Sequence, residues 1–444
     1  MKSDGPTPVA IVGGGFSGTA MLAELTRRGV PAVLIEGDGK AGLGAAYSTR
    51  EPEHLLNVRA EVMSARVDDP DHFVRFVEGE GGHRHDFAER RQFGRYMTGQ
   101  LEQALAAGGG LIGEMAVGAE PSGPGWRVAL ADGGQIEAAA LVLALGNQAP
   151  EPPPAFADAG PTFINNPWGT AARAAERQAA EEGADVLLLG TGLTMVDTAL
   201  SLDAAGHRGR ILAVSRRGLL PRAHVEQPGP PAPVEAADLP AGNVRSMWRW
   251  LRRRAGEVDW RKAVDSLRPH AHFLWQAFDH DQKRRFLRHA RPWWDVHRHR
   301  IAPQVARQIR DLFADGRLEV AAGRVRGAAE VPGGIEVDIQ RRGRAQAERS
   351  TFGFVFNCTG PLGAIGRTGD VMLRHLFDSG LVKPDPLGLA IDVDQRSRPT
   401  GAGAERLWAL GAMTKGRYWE IIAVPDIRVQ VAAVADDIAR ELAA

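Results

Sequence analysis

The sequence is short of the residues that would let a chain cross-link itself or run thiol chemistry. It has one cysteine, Cys358. No disulfide can therefore form within the chain, and the dithiol chemistry of disulfide reductases is excluded. Net charge is also lacking: 54 Lys and Arg balance 54 Asp and Glu, which argues against a general nucleic-acid binder. No apolar run approaches the roughly 18 residues of a membrane helix, so no membrane partner is expected. The opening Met1-Lys-Ser-Asp-Gly-Pro6 leads directly into an apolar segment and leaves no space for a signal peptide; a cytoplasmic protein is expected. Asp295, His297 and His299 alternate in a way that hints at a metal, but no further ligands converge on them, and no metal is expected. With 444 residues there is room for two or three domains.

What the chain does have is glycine in a particular place. Val9 to Val12 read as a buried parallel strand, and Gly13, Gly15 and Gly18 follow in the spacing G-x-G-x-x-G, with Phe16 and Ser17 between them. A helical run to Arg27 comes next, closed by Gly29, and a second apolar strand, Ala32 to Ile35, ends in Glu36. Gly13 permits a tight turn, Gly15 admits a pyrophosphate to the backbone, and Gly18 lets helix and strand pack closely. The helix N-terminus offers unpaired N–H groups to the anion. Glu36 can accept from both ribose hydroxyls and repels a 2′-phosphate, so this cradle suits FAD or NAD rather than NADP, and its place at the start of a long chain favours FAD.

Small residues recur where a flat ligand would lie: the loop Gly42 to Thr49, with Gly44 and Tyr47, and then His54 to Ala60. Asn57 and Arg59 in the latter are expected to face the flavin ring as catalytic or orienting residues. A Pro-initiated helix after Asp68 and a longer helix over 87–107, with Phe93, Tyr96, Met97 and Leu101 on one face, are expected. Trp126 to Leu130 and Gln135 to Ala138 flank a hairpin turn, and Ala140 to Gly146 reads as a buried strand ending in glycine. Prolines at 150 and 152–154 mark a domain boundary.

Beyond that boundary the opening pattern returns. A strand over 185–189 leads to Gly190 and Gly192, then a helix from Leu193, with Met195 in the place of the third glycine. The next strand, Ile211 to Val214, ends in Ser215-Arg216-Arg217, where the first copy had Glu36. Arg beside Ser can hold a 2′-phosphate, so the second cradle suits NADPH. Residues 221–242 read as a loop. About 243–303 is a helical insertion holding six of the ten tryptophans, six histidines and many arginines; core tryptophans with solvated arginines are expected there, not a nucleic-acid surface. Phe352 to Gly360 parallels the strand ending in Gly146, with Cys358 as a buried structural thiol. Arg406 to Gly411 reads as a strand, and a terminal helix is expected from Pro425, capped by Asp426 or the preceding loop and facing an anionic cofactor group.

These readings give an α/β chain of two Rossmann-like dinucleotide-binding domains: a discontinuous FAD domain over 1–150 and 320–444, and an inserted NADPH domain over 151–319. The segments AIVGGGFSGTA, HLLNVRAEVMSARVDDPDHF, LLLGTGLTMVDTAL, SRRGLLPRAH, RPWWDVHRHRIAP, FNCTGP and WEIIAVPDIRVQ resemble the bacterial FAD/NAD(P)-binding proteins with two dinucleotide folds. That resemblance relates the chain to flavin-dependent N-hydroxylating monooxygenases. It implies NADPH reducing FAD, a C4a-hydroperoxide formed with dioxygen, and oxygen transfer to a small nucleophilic substrate such as an amine or amino acid. Phe163 to Gly169 lacks the Phe-x-Gly-x-x-x-His pattern of Baeyer–Villiger enzymes, and Ala412 stands where many two-domain flavoenzymes have Asp. His224, Arg298 and Trp419 are candidates for the pocket wall. The alternative class is a flavin reductase passing electrons to a protein or quinone; a redox-silent binding protein is the third.

Overall fold

Four apolar residues with charge on neither face form a strand only where both faces are covered, and β1 (Val9–Val12) is wholly buried. The computed structural model describes residues 6–444. From β1 the chain enters α1 (Phe16–Arg27) and returns as β2 (Ala32–Ile35), parallel to β1 with Val12 opposite Ile35. The short α2 (Gly44–Tyr47) and α3 (His72–Gly79) precede α4 (Arg90–Ala106). Phe93, Tyr96, Met97 and Leu101 of α4 are buried as their helical spacing predicts, and the Phe93 ring meets Phe73 at 5.0 Å. Strand β3 (Gly110–Ile112) joins the edge of β2. A three-stranded antiparallel sheet, β4 (Ala116–Ser122), β5 (Gly125–Leu130) and β6 (Gln135–Ala138), stands apart, and β7 (Ala140–Leu143) pairs beside β1.

The second unit opens with β8 (Phe163–Ile164) and α5 (Thr170–Glu182), then repeats the pattern: β9 (Val186–Leu189), α6 (Leu193–Ala204), β10 (Ile211–Ser215). The insertion is helical, with α7 (Val244–Glu257), α8 (Trp260–Ser266), α9 (Ala271–Ala277), α10 (His280–Arg285), a π turn at Phe286–Ala290, and α11 (Arg291–Arg298). Its Trp275 and Trp294 are core, and both reach out of the insertion: their indole N–H groups donate to the Gly416 carbonyl and to Glu420 Oε1, each at 2.8 Å.

The expected return to the first domain near residue 320 does not occur. After α12 (Pro303–Ala314), β11 (Leu318–Val331) pairs parallel with β10, Leu318 opposite Ile211. It then bends through a bulge at Val325–Gly327 into an antiparallel ladder with β12 (Gly334–Arg341), which pairs with β13 (Glu348–Phe352). Strand β14 (Phe354–Asn357) lies between β9 and β8. Residues 318–357 therefore complete the second sheet, in the order β13-β12-β11-β10-β9-β14-β8. The physical reason is the crossover: α12 carries the chain back over the sheet to the free edge of β10, where a strand–helix–strand connection sets the next strand parallel beside it. Only beyond Gly360 does the chain rejoin the first unit, through α13 (Val371–Asp378), β15 (Leu407–Ala409) and the 20-residue α14 (Val424–Ala443). The first sheet is β15-β7-β1-β2-β3, all parallel. Among the described residues no helix is long and apolar enough to cross a membrane.

Candidate functional site

At the first cradle the glycines are required by geometry. Gly13 has φ +103°, and a Cβ there would lie 2.6 Å from the Ala144 carbonyl oxygen; at Gly18 it would lie 1.9 Å from the Gly13 carbonyl oxygen. The helix start is thus pressed onto the strand. The Gly42–Tyr47 loop closes over it: Gly42 N donates to the Gly14 carbonyl at 2.8 Å, and a Cβ on Gly44 would meet Gly15 Cα at 2.9 Å. Gly411, at φ +61°, approaches from the other side, where a Cβ would lie 2.8 Å from Ser17 Oγ. Gly13, Gly15, Ser17, Gly18, Gly44 and Gly411 therefore converge on one helix end. The Glu36 carboxylate accepts from Gly14 N at 2.6 Å, so an acceptor stands at the strand end where a ribose would need one. Phe16 packs with Phe93, and Tyr47 packs against the same ring in a tilted arrangement at 4.6 Å, burial pushing its phenol up to about 12. These residues fit the adenosine and pyrophosphate half of FAD.

The second cradle repeats the turn with different chemistry. Gly190 has φ +107°, and a Cβ would lie 2.4 Å from the Cys358 carbonyl oxygen, as Gly13 does against Ala144. Gly192 is the extended residue before α6, and Leu193 opens that helix. Where Gly14 meets Glu36, here Thr191 Oγ1 meets Ser215 Oγ at 2.8 Å. Arg216 is exposed beside it, whereas the Arg217 guanidinium turns to the insertion and donates to the carbonyls of Arg288 and His289 at 3.4 Å. Of the expected pair, Arg216 is the one left to meet a 2′-phosphate. Gly146 and Gly360, both at positive φ with open space around them, follow β7 and β14. Gln148 and Leu362 join those two crossings by a 3.2 Å backbone bond. Cys358 is buried, which pushes its thiol up to about 12 and makes it inert as a nucleophile.

Arg59, expected to face the flavin ring, is engaged by backbone and an aromatic ring. Its guanidinium donates to the carbonyls of His85, Val225 and Glu226 and lies 4.8 Å over the Phe87 ring, clamping the long 221–242 loop to the first unit. Asn57 is half-buried beside it and accepts His224 Nε2 at its backbone carbonyl, 2.9 Å away. The neighbouring His54, invisible as a functional residue in the sequence, is wholly buried between the units: Thr49 Oγ1 lies 2.8 Å from Nδ1, and Ser201 Oγ of α6 lies 2.9 Å from Nε2. Burial, with Arg90 and Arg173 adding, lowers its pKa to about 4. Arg90 in turn pairs with buried Asp197 of α6 at 2.9 Å.

A third site sits at the start of α14. Asp426 does not cap that helix: the capping position is Ala423, and Asp426 lies in the first turn with its carboxylate 3.9 Å from Arg268 of the insertion. Burial raises its pKa against the pull of Arg268. A cavity of about 240 Å³ opens here, lined by Val62, Arg268, His272, Glu420, Asp426 and Arg428. Glu420 has φ +73°, a strained conformation for a side-chain-bearing residue. Burial would raise its carboxyl, but His299 at 3.4 Å, Arg298 at 3.3 Å and the Trp294 N–H outweigh that and hold it at about 2. Among the described residues, Asp426 Oδ2 and Arg428 Nε have no hydrogen-bond partner, while Glu420 Oε2 and Arg298 Nε face each other as an ion pair at 3.3 Å. Several buried charges of both signs with spare valences are unusual in a finished core and describe a polar ligand site. Of the expected pocket wall, Arg298 belongs to it through Glu420, and Trp419 backs it by stacking on Trp275 at 4.7 Å. Asp295, His297 and His299 point to Arg291, the Trp293 carbonyl and Glu420 respectively, and do not converge.

Residues 10–148 match the model of a family described as FAD-NAD(P)-binding. No curated protein sequence matches the chain. Among solved structures, the chain is similar to the Kutzneria sp. 744 ornithine N-hydroxylase KtzI, at 16% identity and TM-score 0.68, covering 99% of this chain and 100% of that one. That structure holds reduced FAD, NADP+ and L-ornithine. Similar too are the L-lysine 6-monooxygenase of Pseudomonas syringae, at 16% identity and TM-score 0.67 over 98% and 99% of the two chains, and the ornithine hydroxylase PvdA of Pseudomonas aeruginosa, at 15% identity and TM-score 0.66 over 98% and 99%. Residues 10–148 thus match an FAD-NAD(P)-binding family, within a chain that has the fold of these three enzymes along nearly its whole length.

Proposed function

We propose that this protein is an FAD- and NADPH-dependent monooxygenase that oxidises a small nucleophilic substrate carrying both charge signs, of the amine or amino-acid class. The observation that carries the reading is the reversal between the two cradles: Glu36 at one strand end, Ser215-Arg216 at the other. A carboxylate suits the unphosphorylated ribose of FAD, and a guanidinium suits the 2′-phosphate of NADPH. The similar KtzI structure, with FAD, NADP+ and an amino acid bound, supports the same pairing. The domain division that follows is an FAD unit over residues up to about 150 and beyond Gly360, with the NADPH unit between.

When bound, FAD supplies the redox chemistry and the reaction of its reduced form with dioxygen. The chain's own residues do the rest. Arg268 and Arg428 line the cavity and offer donors to a substrate carboxylate, while Arg298 holds Glu420. Asp426, raised by burial, is suited to take the proton from a substrate ammonium, leaving a neutral amine able to attack. Asn57, in the loop expected to face the flavin ring, is assigned the role of orienting the reacting group.

The test is turnover of the purified yellow protein with NADPH or NADH across a panel of diamines and basic amino acids. Oxygen uptake, hydroxylated product and hydrogen peroxide are measured together. We expect NADPH to be preferred and product to form with at least one basic amino acid. Asp426→Asn should lower kcat with flavin retained, Arg268→Gln should raise KM, and Asn57→Ala should raise the peroxide share. Turnover that runs without oxygen and needs an added quinone or protein acceptor would replace this reading with a reductase.

A further inference from the structure

The helical insertion is the most basic part of a neutral chain: residues 243–303 carry fifteen Lys and Arg against six Asp and Glu. Most arginines that face a carboxylate elsewhere use it; Arg291 of α11 pairs with Asp295 at 3.2 Å, and Arg298 and Arg300 are likewise matched. Three consecutive cationic positions behave differently. Arg284 and Arg285 of α10 and Arg288 of the π turn have no carboxylate within 4.0 Å among the described residues. With His289 they line an open cavity of about 820 Å³ whose far wall is Pro386–Leu387 of the first unit. The one acid on the rim, Asp281, is exposed and turned to His280 at 3.8 Å.

The cavity is tied to the second cradle. The Arg217 guanidinium donates to the carbonyls of Arg288 and His289, so the π turn is pinned against the end of β10, next to the exposed Arg216. A π turn adds one residue to a helical turn, and here it brings Arg288 and His289 round to the face that Arg284 and Arg285 occupy. Unpaired guanidiniums gathered in a concave site repel one another, and an arrangement of that kind is stabilised by an anion able to accept several charge-assisted bonds at once.

We propose that this arginine-lined cavity is a phosphate site, supplied by the insertion and separate from both glycine cradles. Its ligand carries a phosphate monoester or diphosphate group. Two sources have that chemistry: the 2′-phosphate of NADPH reaching past Arg216, or a distinct small phosphorylated molecule. The site itself does not depend on the redox reading; only its assignment to NADPH does.

The experiment is calorimetric titration of the full chain with inorganic pyrophosphate, at fixed ionic strength, repeated with the exposed-residue variant R284Q/R288Q. Saturable binding that weakens at least tenfold in the variant, with Tm unchanged, is the expected result. Binding that is absent, or equal in both proteins, overturns the proposal. If 2′,5′-ADP displaces pyrophosphate and the variant loses its preference for NADPH over NADH by tenfold or more, the occupant is the cofactor's 2′-phosphate. If pyrophosphate binds alongside 2′,5′-ADP and the preference is unchanged, the occupant is a separate phosphorylated molecule. Flavin content and reduction by NADH, followed separately, report on the redox reading without touching the cavity.

Discussion

The two halves of the chain are the same fold drawn twice. In each, a central strand (β1, β9) feeds a glycine turn and a helix, a second strand lies to one side and a third beyond it. An antiparallel segment follows, and a returning strand (β7, β14) pairs on the other side. The first glycine of each turn is held by the same contact, against the carbonyl of Ala144 or Cys358. They differ at two points. The third glycine of the first copy is Met195 in the second, and the strand-end acid of the first is Ser215 with Arg216 in the second. The shared points are those where the backbone itself must turn; the divergent points are where a ligand or a packing distance is chosen.

The largest expected effect tests the helix–strand distance. Gly18→Ala drives a Cβ into the Gly13 carbonyl at 1.9 Å, where only backbone can yield. It should cost more than about 3 kcal/mol, at the upper end of overpacking, and lose bound flavin. Met195→Ala in the second copy should instead leave a cavity, costing about 2–5 kcal/mol, with flavin content unchanged. Thermal melts and flavin absorbance separate the two.

The joint between the copies should respond to acid. His54 has its pKa lowered to about 4, so protons bind the unfolded chain more readily, and stability should fall as pH drops from about 6.5 to 4. The shift corresponds to roughly 3 kcal/mol. His224, also held at about 4 by burial and the nearby Arg300, adds to the same window. His54→Gln should remove about half of the acid loss measured by denaturant titration, leaving the His224 share.

Smaller effects test the strand ends. Glu36→Gln removes a charged acceptor and should weaken FAD binding by roughly 1.5–3 kcal/mol, with NADPH affinity unaltered. Arg216→Ala should lower kcat/KM for NADPH about tenfold, near 1.4 kcal/mol, and leave NADH unchanged. Equal losses for both nicotinamides would show that Arg216 does not read the 2′-phosphate.

Much of this was legible in the chain. Both cradles, the hairpin after Trp126 and the face of α4 follow from spacing, because apolar period and glycine geometry act over a few residues. In the insertion the expectation of core tryptophans and solvated arginines holds only in part: Trp275 and Trp294 are buried, but Trp293 is exposed and Arg298 and Arg300 are buried. The return point of the chain was not. Residues 318–357 alternate like any half-exposed sheet, and their membership depends on which free edge is near, a property of the crossover helix. Arg59 carried a catalytic expectation from its loop alone; its contact with three carbonyls from distant segments, which makes it a clamp, could not be read from the sequence.

Sequence alone determined the local elements: two strand–glycine–helix turns, an acid at one strand end, serine and arginine at the other, and a single cysteine with no partner for a disulfide within the chain. Tertiary structure alone decided the long-range meetings. It brought Arg268 of the insertion to Asp426 at the last helix, set Glu420 among Arg298, His299 and Trp294, and left three arginines of the π-turn region without a carboxylate partner among the described residues. The reason is physical: a glycine turn is dictated by its own backbone, whereas the charge state and freedom of a side chain depend on whatever the rest of the fold places beside it.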